Sequence, residues 1–292
     1  MKKLKNRIWL ALGLLLFGLQ GCTSDDRDNV IIPIDTDQMA YDAADAVNGS
    51  RLYNDFTALE TGFVAPESAS VNLEHITTRK DFYRCKQCHA WDQKARFGSY
   101  INRAPSVTRP DVSTVQLTNL GLADIRVLFD GIKGTGGGVV NLERTADGTN
   151  PALAGNDHHD YGTILSDDLI WDLVKFLKEG AFDTDGLYAI TTVGSYPTGS
   201  RTFSDLGRDG DATAGDSFYS SKCASCHGAD GTTISLGGNS VGTFTRSSPY
   251  EVQHKVVSGQ LGASMGATPI TFEEMKDLLK ALSDETKYPA AN

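Results

Sequence analysis

Cys85-Lys86-Gln87-Cys88-His89 and Cys223-Ala224-Ser225-Cys226-His227 are the two stretches whose reading decides the fold. They use four of the five cysteines in the 292-residue chain and leave Cys22 on its own. A zinc ribbon wants its C-x-x-C knuckles roughly 15 to 20 residues apart, whereas these lie in opposite halves of the chain. A thioredoxin-like redox pair belongs inside a βαβ pattern, and no such pattern surrounds either motif. What the two stretches share is a histidine directly after the second cysteine.

C-x-x-C-H is the attachment signature of haem c. Two thiols at this spacing reach the two vinyl groups of one porphyrin edge, and the adjacent histidine reaches iron as its proximal ligand. The expectation is therefore two covalently bound haem c groups. Cys85, Cys88, Cys223 and Cys226 are the thioether positions, and His89 and His227 are the proximal iron ligands.

The remaining cysteine lies near the N-terminus. Lys2, Lys3, Lys5 and Arg7 precede an apolar run from Ile8 to Leu19 that is short for a membrane span. The run ends in Leu19-Gln20-Gly21-Cys22, which resembles the lipobox of bacterial lipoproteins. That resemblance implies a signal peptide over residues 1–21 and lipidation of Cys22, which would anchor the chain in the bacterial cell envelope, on the periplasmic side or in the outer membrane. The alternative is an ordinary secretory signal with an incidental cysteine. The formal net charge is −10, and the first 21 residues hold basic but no acidic side chains, so the remainder is more acidic still. Such a charge argues against nucleic acid as a partner. It reads as a solubility device, with steering toward a basic redox partner as the sharper alternative.

The surroundings of the two motifs suggest two copies of one small unit. Gly215-Asp216-Ser217-Phe218-Tyr219 leads into Cys223, and the aromatic pair Phe82-Tyr83 leads into Cys85, each reading as the end of a short helix. Ser247-Ser248-Pro249-Tyr250 reads as a serine cap with proline at a first helical position, and that helix runs to Ser258 before Gly259 stops it. Its counterpart is Ala123 to Asp130, stopped by Gly131. Each copy closes with an amphipathic helix. One is capped by Ser166, has Asp167 and Asp168 in its first turn, and carries Leu169, Ile170, Leu173, Val174 and Leu177 on one face before Gly180. The other has capping-box spacing at Thr271 and Glu274, followed by Met275, Leu278, Leu279 and Leu282.

Together these features resemble class I c-type cytochrome domains, in which an N-terminal and a C-terminal helix cross beside a haem. The resemblance implies a mainly α fold of two small cytochrome c-like helical domains, each wrapped around its covalently bound haem, joined by an irregular connector. The expected divisions are signal peptide 1–21, tether and N-terminal arm 22–70, first domain 71–182, connector 183–209 and second domain 210–292. Residues 23–38 read as a flexible acidic tether. A short helix is expected near Tyr41 to Val47, and a strand within the connector around Ala189 to Val193.

A six-coordinate haem needs a second axial ligand, usually methionine or histidine. In the second copy Met265 lies between the Gly259 stop and the Thr271 cap, the place where the family carries its methionine ligand. Met275 falls on the apolar stripe of the closing helix, where core packing is the better reading. His254 reads as a surface or supporting residue. The first copy departs from the family, because no methionine occurs between His89 and Met265. His158 and His159 occupy the corresponding loop, so His158 is the expected distal ligand, His159 the alternative, and His75 a weaker one. The bland alternative is a pair of solvent-exposed loop histidines. Methionine ligation would set the second iron at the higher potential. Trp91 and Trp171 read as haem or core packing, and the glycine-rich stretch Gly134 to Asn156 lacks a phosphate-binding fingerprint.

The resemblance implies electron transfer with redox partner proteins of the envelope rather than an enzymatic reaction. A dihaem peroxidase or a haem-based ligand sensor stays open as an alternative, because the first copy lacks a methionine ligand.

Overall fold

A computed structural model describes residues 35–59, 84–106, 109, 111–113, 123–134 and 161–291 of the chain. The first half contains α1 (Thr36–Ala43), α2 (Ala46–Asn54), α3 (Cys85–His89), α4 (Ile125–Lys133) and α5 (Asp167–Lys175). The second contains α6 (Ala212–Lys222), α7 (Ala224–His227), α8 (Val241–Ser247), α9 (Pro249–Ser258) and α10 (Phe272–Leu282). Between them lies one antiparallel hairpin, β1 (Ala189–Val193) against β2 (Ser200–Ser204), in register Ala189 with Ser204. The described residues are thus mainly helical, as the sequence leads one to expect, and the connector is a folded hairpin.

Two helix crossings organise the structure, α2 on α5 and α6 on α10. Each is possible because a glycine sits at the point of closest approach. A Cβ on Gly49 would lie 1.9 Å from the carbonyl oxygen of Asp172, and one on Gly215 would lie 2.0 Å from that of Asp277. Each crossing is locked the same way: the backbone N–H of Asp45 donates to Asp172 Oδ1 and that of Asp211 to Asp277 Oδ1, both at 2.6 Å. Asp45 and Asp211 are in turn the N-caps of α2 and α6, their carboxylates accepting from the second and third helical N–H groups. The repeat is written in the sequence as Asp-Ala-x-x-Gly-x-x-x-Tyr at 45–53 and 211–219, and as Asp-Leu-x-Lys-x-Leu at 172–177 and 277–282. The helix crossing α5 therefore precedes residue 71, inside the segment assigned above to an N-terminal arm.

Other expectations change in detail. The helix near Tyr41 is two helices broken at Ala44 and Asp45, and residues 36–38 of the expected tether are its first turn. In α4 the stop is Gly134, at φ 89°, and Gly131 lies within the helix, because Ile132 continues its apolar side. Ser248 makes no side-chain cap for α9; its N–H closes α8 on Phe244 and its carbonyl opens α9. The Ser166 cap and the Thr271/Glu274 capping box are present as expected. Cys22, His75, Phe82, Tyr83, His158 and His159 lie outside the described residues.

Among the described residues one large apolar core runs through both halves, with a smaller cluster of Cys88, Ala90, Ala95, Tyr100 and Val112 beside it. Leu52, Ile170, Leu173 and Val174 fill the first crossing, and Met275, Leu278, Leu279 and Leu282 fill the second. The two halves meet where Trp91, just after the first motif, stacks on His254 of α9 with ring centroids 3.7 Å apart. Gln253 strengthens this seam by donating from Nε2 to the Trp91 carbonyl at 3.2 Å.

Candidate cofactor sites

Each motif forms a short helix held by the tyrosine of its crossing helix. Tyr53 donates its hydroxyl to the carbonyl of Ala90 at 2.6 Å, and Tyr219 donates to the carbonyl of Gly228 at 2.9 Å. Ala90 and Gly228 are the residues directly after His89 and His227, and both adopt positive φ, 62° and 82°. Positive φ combined with an extended ψ, 177° at Ala90 and 163° at Gly228, turns the chain sharply away from the helix at this point. Three residues past each histidine an aspartate then folds the following loop. Asp92 accepts from the N–H groups of Lys94 and Ser99, at 3.1 and 2.6 Å, and Asp230 accepts from Thr232 N–H at 3.1 Å. Asp92 is buried, which raises its pKa, whereas exposed Asp230 is lowered by the Thr232 hydroxyl.

The second site is the better described. Cys223 and His227 are half-buried and Cys226 is exposed. The N–H groups of Cys226 and His227 both donate to the Cys223 carbonyl, at 3.2 and 3.0 Å, so one helical turn presents all three side chains. Burial lowers the His227 pKa and favours the neutral ring that metal coordination requires. Its Nδ1 is buried without a hydrogen-bond partner. Among the expected ligands Met265 lies in the loop after α9, partly buried against the core. Gly259 makes that loop possible: at φ 78° it stops α9, and a Cβ there would lie 2.7 Å from the Met265 carbonyl. Gln260 N–H donates to that same carbonyl at 2.9 Å, which ties the loop to the helix end. Met275 is fully buried on the α10 stripe, and Met39 is exposed on α1.

At the first site Cys85 is half-buried and Cys88 buried. Burial pushes the Cys85 thiol up to about 11 and the Cys88 thiol up to about 12, and the Cys223 thiol likewise to about 11. Such positions favour an uncharged sulfur, which a thioether is and a thiolate is not. The four described motif cysteines form no disulfide. The donor set of each motif, two sulfurs and an imidazole on one helical turn, therefore fits covalent haem attachment.

His254 departs from the surface half of its sequence reading. It is buried, not a surface residue, stacked on Trp91 and edge-on to Phe176. Burial, then the charges of Lys255 and Lys86, push its pKa well below the ordinary histidine range. The α2 helix with its Tyr53 brace was the element sequence reading missed. The repeated Asp-Ala-x-x-Gly-x-x-x-Tyr was the signal that would have found it.

Residues 210–280 match the family model described as cytochrome c oxidase, cbb3-type, subunit III. No curated protein and no solved structure matches the chain.

Proposed function

We propose that this chain, with its c-type cytochrome domain at residues 210–280, is a dihaem electron carrier lipid-anchored through Cys22 in the bacterial cell envelope. One observation supports a second haem most directly. The first motif stands in the same frame as the second: a capped helix crossing on glycine, a tyrosine bracing the residue after the motif histidine, and an aspartate turning the next loop. The two repeats then begin at Asp45 and Asp211, and the first includes α2.

Bound haem iron supplies the one-electron couple. Cys85 and Cys88 at one site, and Cys223 and Cys226 at the other, anchor the ring by thioethers. His89 and His227 would hold the iron of each group, and burial lowers the His227 pKa, which favours its neutral ring. Met265, fixed by the Gly259 turn, is the distal ligand of the second site. His158, with His159 as its alternative, is the distal ligand proposed for the first. Redox proteins of the envelope are the proposed partners.

The test is mass spectrometry of protein matured in a haem-attaching bacterium, followed by electron paramagnetic resonance of the resting oxidised state. The expected result is two haems per chain, both low-spin, with Met265→Ala converting one to high-spin and His158→Ala the other. A single haem would remove the first site. A high-spin first haem in the unaltered protein would turn the reading from carrier to peroxidase or sensor.

A further inference from the structure

We infer that the seam between the two halves is a binding site for a small multivalent oxyanion of the phosphate class, held by Lys86, Arg103 and Arg201. The site is a cleft of about 310 Å³ whose walls include these three residues with Arg109, Tyr100 and Tyr250. A second cleft of about 280 Å³ adjoins it, sharing Lys86 and Trp91 and adding Arg84 and Lys255 together with the carboxylate of Asp55. In a chain of net charge −10, so many cations in one place call for a physical account.

Among the described residues, Lys86, Arg103 and Arg201 meet little counter-charge in the cleft. Among the described residues Glu251 is the one carboxylate on the wall of the larger cleft, and it lies 3.8 Å from the Lys255 ammonium. Lys86, Arg103 and Arg201 pair with no carboxylate among the described residues. The Lys86 ammonium sits 4.8 Å from the Trp91 ring centroid. Arg103 lies 4.2 Å over the Tyr100 ring and donates from Nη2 to Gln87 Oε1, while its Nη1 is buried without an acceptor. Arg201 is held by two neutral oxygens, Asn102 Oδ1 at 2.6 Å and the Tyr250 hydroxyl at 2.9 Å. Gathering like charges in a half-buried space without an anion is unfavourable. Consistent with this, burial and then the neighbouring Arg84 charge bring Lys86 down to about 8. An oxyanion reverses the balance, since each guanidinium has N–H groups beyond those given to Gln87, Asn102 and Tyr250 that can donate to its oxygens.

The cleft is separate from the cofactor side of the first motif. With 3.6 residues per turn, Cys85, Cys88 and His89 share one side of α3, and Lys86 and Gln87 occupy the other. Lys86 and Arg103 come from the first half and Arg201 from β2, so a bound oxyanion would clamp the seam already formed by Trp91 and His254. The small volume and the polar walls fit an inorganic oxyanion better than a protein segment.

The test uses the full-length holoprotein, titrated calorimetrically with inorganic phosphate, pyrophosphate and citrate at an ionic strength held constant with chloride. One saturable site per chain is expected for phosphate or pyrophosphate, with a rise in melting temperature that chloride does not reproduce. Arg103→Gln and Arg201→Gln should each weaken binding by roughly ten- to a hundredfold with an unchanged haem spectrum. Glu251→Gln, which removes the wall carboxylate, should tighten it, an effect misfolding cannot mimic. Absence of saturable binding by phosphate and pyrophosphate, including the case in which citrate alone binds, would overturn the assignment.

Discussion

Replacing Gly215 with alanine separates two opposed effects whose balance the helix crossing decides. On an exposed helix, Gly→Ala stabilises by up to about 1 kcal/mol, because alanine loses less backbone freedom on folding. At Gly215 the added methyl would stand 2.0 Å from the Asp277 carbonyl oxygen and 2.4 Å from its carbon. Ordinary contact begins near 3.4 Å, so α6 and α10 would have to part by more than an ångström along their whole interface. Overpacking of this kind costs about 1 to 3 kcal/mol, and occasionally more. Net of the propensity gain, Gly215→Ala should destabilise by about 1 to 2 kcal/mol, a fall in melting temperature of roughly 2 to 8 °C for a chain of this size. Gly49→Ala should behave alike, since its methyl would meet the Asp172 oxygen at 1.9 Å. Gly131 supplies the control: it lies within α4 and a Cβ there meets nothing within 4 Å, so Gly131→Ala should stabilise. Thermal and urea unfolding of the three holoproteins would decide it. If Gly215→Ala and Gly49→Ala raise stability as Gly131→Ala does, the crossings are not close-packed and the common frame of the two halves fails.

Two further outcomes follow from the same architecture. Tyr219→Phe should cost about 1 kcal/mol by removing the bond to the Gly228 carbonyl, and Tyr53→Phe should cost more, because the Ala90 carbonyl is left buried without its donor; equal losses in urea unfolding would contradict the difference in burial. His254, held neutral in the fold with its pKa well below that of the unfolded chain, contributes stability that is complete above about pH 6.5 and is lost as pH falls below it, because the unfolded state then binds the extra proton. Urea midpoints at pH 7.5 and pH 5.5 should therefore converge in His254→Phe relative to the unaltered chain, and an identical acid slope in both proteins would refute this.

The parts legible in the sequence were those encoded locally. Paired cysteines with their histidine, the Thr271/Glu274 capping box and the apolar stripe of α10 are contained within a few turns of chain, and each appears where its pattern puts it. The α2 helix was lost because in the second half Tyr219 runs almost directly into Cys223, whereas in the first a long excursion separates Tyr53 from Cys85. In the sequence, Phe82 and Tyr83 stand just before the first motif, where the second has Phe218 and Tyr219. Gly131 reads as a helix stop because glycine often ends a helix, but here the left-handed residue that ends α4 is Gly134. The burial of His254 was hidden for a different reason: Trp91, which covers it, belongs to the other half of the chain. The cationic seam likewise gathers Lys86, Arg103 and Arg201 from three separate segments.

The excursion between Tyr53 and Cys85 also bears on how the molecule assembles. The hydrogen bond that locks α6 to α10 closes a span of 66 residues, and the one that locks α2 to α5 closes 127. Near-doubling of a loop adds about 0.6 kcal/mol of closure entropy, and larger separations slow the search for native pairing. The C-terminal crossing should thus nucleate first and offer a finished surface, with Gln253 and His254 on it, against which the later-closing N-terminal half condenses. Synthesis delivers the halves in one order, and chain entropy favours completing them in the other.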